Sequence, residues 1–136
     1  GLEHPKEAIR DVLKKVGLYE NRNNKVKSLS LGMRQSLGIA YAILGDPELL
    51  ILDEPVNGLD PIAIANIRKI LQEMNQKGTT ILISSHILGE MEKLATCYAF
   101  IVNGKLAKEI SEEELKNEHM DLEEMFIKIS GGEINE

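Results

Sequence analysis

A chain of 136 residues allows one domain or a single lobe. Sixteen Lys plus Arg against 22 Asp plus Glu give a net charge of −6, which argues against a broad nucleic-acid surface, since displacing counterions from phosphate needs clustered Lys and Arg. The single Cys97 excludes an internal disulfide, and three His with one Cys are a poor donor set for structural zinc.

In chain order, Ala8, Ile9, Val12, Leu13 and Val16 recur at helical spacing over residues 6–16, with Pro5 at the entrance and Gly17 as C-cap. The stretch Asn21-Arg22-Asn23-Asn24-Lys25 reads as a polar loop. Ser30 stands before a second helix, Gly32 to Leu44, which ends at Gly45-Asp46-Pro47. The continuous apolar run Leu49-Leu50-Ile51-Leu52, cut off at Asp53-Glu54-Pro55, predicts a strand buried on both faces, as in a parallel sheet. Asp60 and Pro61 predict the cap and first turn of a helix to about Gln76, with Ile64, Ile67, Ile70, Leu71 and Met74 inward.

Thr79 to Ser84, rich in β-branched residues, predicts a second buried strand, and a helix is expected from about Leu88 to Ala95. Asn103-Gly104 between Cys97–Val102 and Lys105–Ile110 is a strong hairpin signal. Ser111 with Glu114, and Asp121 with Glu124, have the spacing of capping boxes that open short acidic helices. In the tail, Phe126, Ile127 and Ile129 form a small apolar face that reads as packing against the lobe, with a partner site as the alternative. This order of elements predicts an α/β fold with a parallel sheet. No apolar run reaches the roughly 18–20 residues of a membrane helix, and the start lacks a signal-peptide pattern, so a cytosolic chain is expected. Gly rather than Met at position 1 suggests a processed, tagged or excised chain.

The chemistry concentrates at Asp53-Glu54. Ligands of open α/β sheets bind beyond the carboxyl ends of strands, so acids there face the site. Asp53 suits Mg2+, which takes oxygen ligands, and Glu54 suits polarising a water for attack on a phosphoryl group. For two acids in isolation the plainer reading, that they merely end a strand and start a turn, would win, but here it must also explain their neighbours. A tight loop, Pro55-Val56-Asn57-Gly58-Leu59-Asp60-Pro61, follows them, and His86 follows the next strand. If both strands share a parallel sheet, His86 emerges at the same edge, where an imidazole can donate to a phosphate oxygen. Leu29-Ser30-Leu31-Gly32-Met33-Arg34-Gln35 places a serine cap and a glycine at a helix start, a geometry open to an anion or to nothing more than capping.

Together these strings resemble the ABC ATPase family from about residue 5 to 110. Leu29 to Gln35 is similar to the signature motif LSGGQ, with Leu31 where the family usually has Gly and Met33 where it usually has Gln. Leu50-Ile51-Leu52-Asp53-Glu54-Pro55 resembles Walker B, Asn57-Gly58-Leu59-Asp60 the D-loop, and His86 the switch histidine. The variant signature resembles that of bacitracin- and lantibiotic-type exporters. The resemblance implies ATP and Mg2+ as cofactors, with Asp53 positioning the metal, Glu54 as catalytic base and His86 sensing the γ-phosphate. Ser30, Leu31, Gly32 and Met33 would meet the ATP held by the opposite subunit, and Asp60 would work across the dimer interface. Implied partners are a second nucleotide-binding domain and a membrane-spanning permease, with the protein on the cytoplasmic side and no nucleic acid bound.

A P-loop requires Gly-x-x-x-x-Gly-Lys-[Ser/Thr], yet of the eleven glycines only Gly104 precedes a Lys, and Leu106 follows it. The expected fold is therefore a partial P-loop NTPase fold, a parallel sheet flanked by helices, without the Walker A strand. Residues 1–45 would belong to the helical subdomain with the signature, 46–110 to the ATPase core, and 111–136 to a helical tail. Such a chain is expected to be inactive alone and to self-associate through exposed sheet edges. Two other readings stay open: the C-terminal lobe of a chromosome-maintenance or DNA-repair ATPase, and a non-enzymatic regulator that retains the fold.

Overall fold

The structure is a computed structural model that describes residues 4–131, so the opening Gly1, Leu2 and Glu3 lie outside it. The chain divides into two units, one up to Ser85 and one from His86 onward.

In the first unit, α1 (Pro5–Lys15) begins at its proline, whose missing N–H and fixed φ suit a helix start. Its apolar stripe is less covered than the spacing suggests: no residue within the helix is buried and Ile9 is exposed, whereas Val16 and Leu18, just past it, are buried. Short 3-10 helices at Tyr19–Asn21 and Val26–Ser28 flank the polar loop, whose residues 22–24 are turn and bend as expected. Next, α2 (Leu31–Ile43) starts one residue earlier than expected, because Ser30 is its cap, and buries Ser36, Ile39, Ala40 and Ile43 at helical spacing. Strand β1 (Leu49–Asp53) leads through α3 (Pro61–Gln76) to β2 (Thr80–Ser84). The two strands pair in parallel with Leu49 opposite Thr80 and Asp53 opposite Ser84. This register brings the acid end of β1 and the serine end of β2 to one edge.

Helix α3 packs on β2, and its Ile67, Ile70, Leu71 and Met74 are buried together with Leu50 and Leu52 of β1. The opposite face of this two-stranded sheet is not covered: Leu49, Ile51 and Leu82 are 56%, 65% and 61% exposed. The expectation of strands buried on both faces is thereby corrected among the described residues. An apolar run records that both side-chain rows are hydrophobic, while burial requires a packed layer on each face, and the row of Leu49, Ile51 and Leu82 meets none among the described residues.

In the second unit, the helix expected to Ala95 is shorter, α4 (Leu88–Met91). Strands β3 (Cys97–Val102) and β4 (Lys105–Ser111) form an antiparallel hairpin with an irregularity between Phe100 and Ile101. Its turn has positive φ at both Asn103 (51°) and Gly104 (73°), which two-residue hairpins favour because the turn twist then matches the strands. Both capping boxes form, at the starts of α5 (Glu112–Asn117) and α6 (Leu122–Ser130). The tail buries a different pair from the Phe126, Ile127 and Ile129 face read from sequence: Leu122 and Met125 are fully buried, whereas Phe126 is 41% exposed. One helical turn separates Leu122 from Met125, so the inward stripe lies on their side of α6. The Phe126 ring nevertheless stacks on Phe100, with centroids 6.4 Å apart.

Candidate functional site

Three stretches of the first unit meet at the carboxyl edge of β1. The strand ends in Asp53, one of whose carboxylate oxygens accepts a short hydrogen bond from the Ser84 hydroxyl on the neighbouring strand. Glu54 then turns the chain out of the sheet with φ +47°. A left-handed conformation is uncommon for a residue with a Cβ and costs of order 1–3 kcal/mol unless the surroundings impose it. Here hydrogen bonds hold the peptide from several sides. The Glu54 N–H donates to the Ser84 carbonyl at 3.1 Å and lies 3.3 Å from the Ser84 hydroxyl oxygen. Its carbonyl accepts from the Asn57 N–H at 3.2 Å and from the Gln35 side-chain amide at 3.0 Å.

The loop continues through Pro55 and Val56, both buried, to Gly58 at φ +75°. Asp60 closes it by capping α3, a single carboxylate oxygen accepting from the Ile62 and Ala63 N–H groups at 2.9 Å each. The capping role expected of Asp60 is therefore present.

At the start of α2, the exposed Ser30 accepts the Met33 N–H at 3.2 Å, and the Arg34 guanidinium donates to the Leu29 carbonyl. Leu31 is 61% exposed, while Gly32 and Met33 are half-buried. This turn interlocks with the acid loop. A Cβ on Gly32 would lie 3.2 Å from the Leu59 side chain, and one on Gly58 would lie 3.3 Å from the Leu31 side chain. Asp53, Glu54, Asn57, Gly58, Leu59 and Asp60 are thus one continuous loop, keyed onto the helix start that carries Leu31, Gly32 and Met33. His86, also read from sequence as a site residue, is the first residue of the second unit, two positions past the end of β2, with its side chain exposed.

Two participants were missed from sequence. Ser84 is an ordinary strand residue until the register sets it opposite Asp53. Gln35 stands within the quoted signature string, but only the packing of α2 shows its amide reaching Glu54 across 19 residues of sequence.

The donor set fits a hard cation in part. Asp53 offers an exposed carboxylate beside a hydroxyl, and no group of three or more His, Cys, Asp or Glu that could hold a metal occurs among the described residues. Such a partial oxygen shell suits Mg2+, which keeps waters and takes substrate phosphates rather than a full protein cage. No helix among the described residues is long and apolar enough to cross a membrane.

Comparison with known proteins identifies the fold and the family. A family model described as "AAA domain, putative AbiEii toxin, Type IV TA system" matches residues 6–92. The chain is 48% identical over 123 residues to an uncharacterized ABC transporter ATP-binding protein of Bacillus subtilis, YcbN, covering 90% of this chain and 40% of that protein. It is 48% identical over 118 residues to the lantibiotic transport ATP-binding protein SrtF of Streptococcus pyogenes, covering 87% of this chain and 50% of the relative. With the bacitracin transport ATP-binding protein BcrA of Bacillus licheniformis it shares 50% identity over 114 residues, covering 83% and 37%. The chain thus spans half or less of the length of these relatives. A solved ATP-binding subunit of an ABC transporter superposes with a TM-score of 0.84 at 27% identity, covering 96% of this chain and 56% of that one. The ADP conformation of MJ1267, an ATP-binding cassette of an ABC transporter, gives a TM-score of 0.74 at 28% identity, covering 98% and 52%. The fold is accordingly part of a P-loop NTPase domain, and the chain belongs to the ABC transporter ATP-binding protein family.

Proposed function

We propose that this chain is part of an ATP-hydrolysing subunit that couples ATP turnover to transport across a membrane, working as a dimer of nucleotide-binding domains beside a membrane-spanning permease on the cytoplasmic side. The observation that carries this reading is the keyed loop: two acids leave the sheet at its carboxyl edge, with the start of α2 locked against the loop that follows them. Such an arrangement suits phosphoryl transfer, where catalysis is largely positioning and electrostatic stabilisation.

Each residue then has a task. Asp53, oriented by the Ser84 hydroxyl, supplies a carboxylate oxygen to Mg2+, whose contribution when bound is to offset charge on the phosphates. Glu54 accepts the proton of the attacking water, and His86 donates a hydrogen bond to the γ-phosphate. Ser30, Leu31, Gly32 and Met33 form the turn that meets ATP held by the opposite domain, and Asn57 through Asp60 lie against the dimer partner. In this reading residues 1–45 belong to the helical subdomain, 46–110 to the ATPase core and 111–136 to the tail. The identity with lantibiotic and bacitracin transport proteins favours an exporter of that class.

The test is Glu54→Gln in the intact ATPase. We expect Mg-ATP turnover to fall by about a hundredfold or more, as for loss of a general base, with ATP binding retained. Turnover at the wild-type rate would remove Glu54 from the chemistry and overturn the assignment.

A further inference from the structure

We infer that Gln35 is a positioning residue for Glu54, its side-chain amide tying the first turns of α2 to the peptide of the acid; this rests on the role proposed above for Glu54. Residues 31 and 35 are one helical turn apart and share a face of α2. Both reach the same loop, Leu31 through its packing beside Gly58 and Gln35 through its 3.0 Å hydrogen bond to the Glu54 carbonyl. Glu54 is the residue most in need of such a hold, because its left-handed backbone is disfavoured for a side chain of its size. Further bonds to its peptide come from within the loop, at the Asn57 N–H, and from β2, at Ser84. Gln35 adds a link to α2, and a partly buried one that water competes for poorly.

The consequence is mechanical. The helix start proposed to meet nucleotide lies on α2, and the acid proposed to activate water is tied to the same helix through Gln35. A shift of α2 reaches the Glu54 peptide through Gln35, while the Leu31–Gly58 and Gly32–Leu59 contacts keep the loop moving with the helix. Gln35 touches the backbone of Glu54, so its loss should disturb the aim of the carboxylate and leave nucleotide affinity alone.

The experiment compares three variants in the intact ATPase. Gln35→Glu is nearly isosteric but replaces the amide donor with an oxygen facing the Glu54 carbonyl, and Gln35→Lys restores a donor of similar reach. Because small misplacements of a reacting group are costly, Gln35→Glu should lower kcat about tenfold with KM for ATP and the number of bound nucleotides unchanged. Gln35→Lys should recover most of kcat, and Gln35→Glu combined with Glu54→Gln should be no slower than Glu54→Gln alone. An unchanged kcat in Gln35→Glu would overturn the inference. So would a loss of kcat matched by equal losses of nucleotide binding and thermal stability, which marks a merely structural role. If Gln35→Glu does not fold, Gln35→Met, which also lacks the donor, is read the same way. Wild-type turnover in Glu54→Gln would instead overturn the assignment of Glu54 and this inference with it; a dead Glu54→Gln beside an unaffected Gln35→Glu overturns this inference alone.

Discussion

Glu54 and Gly58 place two left-handed residues within one short loop, and they reach that geometry by different means. Gly58 needs no compensation, since it lacks a Cβ, whereas Glu54 depends on hydrogen bonds from α2 and β2. Gly58→Ala should therefore destabilise the fold by about 1–2 kcal/mol, through its positive φ and the crowding with Leu31 3.3 Å away. Adding Leu31→Ala should return only the crowding share, which denaturant titration of the single and double variants separates. At this scale the identity of the acids was legible from sequence, because an apolar run that stops at Asp-Glu marks a strand end. The partners of those acids were not legible: Ser84 and Gln35 lie 31 and 19 residues from the groups they hold, and nothing local distinguishes them.

At the scale of elements, caps decided boundaries more than apolar spacing did. Ser30, Asp60, Ser111 and Asp121 each accept a backbone N–H of the helix they open. At α5 the Glu114 carboxylate accepts the Ser111 backbone N–H at 2.8 Å and the Ser111 hydroxyl at 2.7 Å, and Lys108 adds a favourable charge. These bonds, the backbone one foremost, hold Glu114 below its ordinary carboxylate value. A carboxylate lowered on folding contributes stability that is present above its unfolded pKa and lost as pH falls through the folded one. The start of α5 should thus fray only in acid, below the usual carboxylate range. Ser111→Ala keeps the backbone N–H and removes only the hydroxyl, so the Glu114 titration, followed by side-chain NMR, should move part of the way up toward the ordinary value; an unmoved titration would show that the Ser111 hydroxyl does not contribute to it. Where spacing alone was the guide, the expectation slipped. The α1 stripe is half covered, α4 is a single turn, and α6 turns Leu122 and Met125 inward rather than Phe126. Periodicity names an apolar face, but which part of that face is buried depends on the surface that meets it.

For the whole molecule, the bare face of the parallel sheet and the lack of a P-loop sequence bear on the same expectation. Most phosphate contacts of a P-loop fold come from a glycine-rich loop with its lysine, and none of the eleven glycines here provides that pattern. Calorimetric titration of the 136-residue chain with millimolar Mg-ATP should therefore give no saturable heat. Clear binding would mean a nucleotide site built without a P-loop, and the tasks given to Asp53, Glu54 and His86 would need to be reassigned. The order of elements, the ends of the capped helices, the Asn103-Gly104 hairpin and the acid pair were determined by the sequence itself, because each rests on contacts within a few residues. The pairing of β1 with β2, the exposure of Leu49, Ile51 and Leu82, and the hold of Gln35 and Ser84 on the acid loop were decided only by the tertiary structure. Those features depend on which distant segments come to lie side by side, and neither propensity nor periodicity along the chain encodes that.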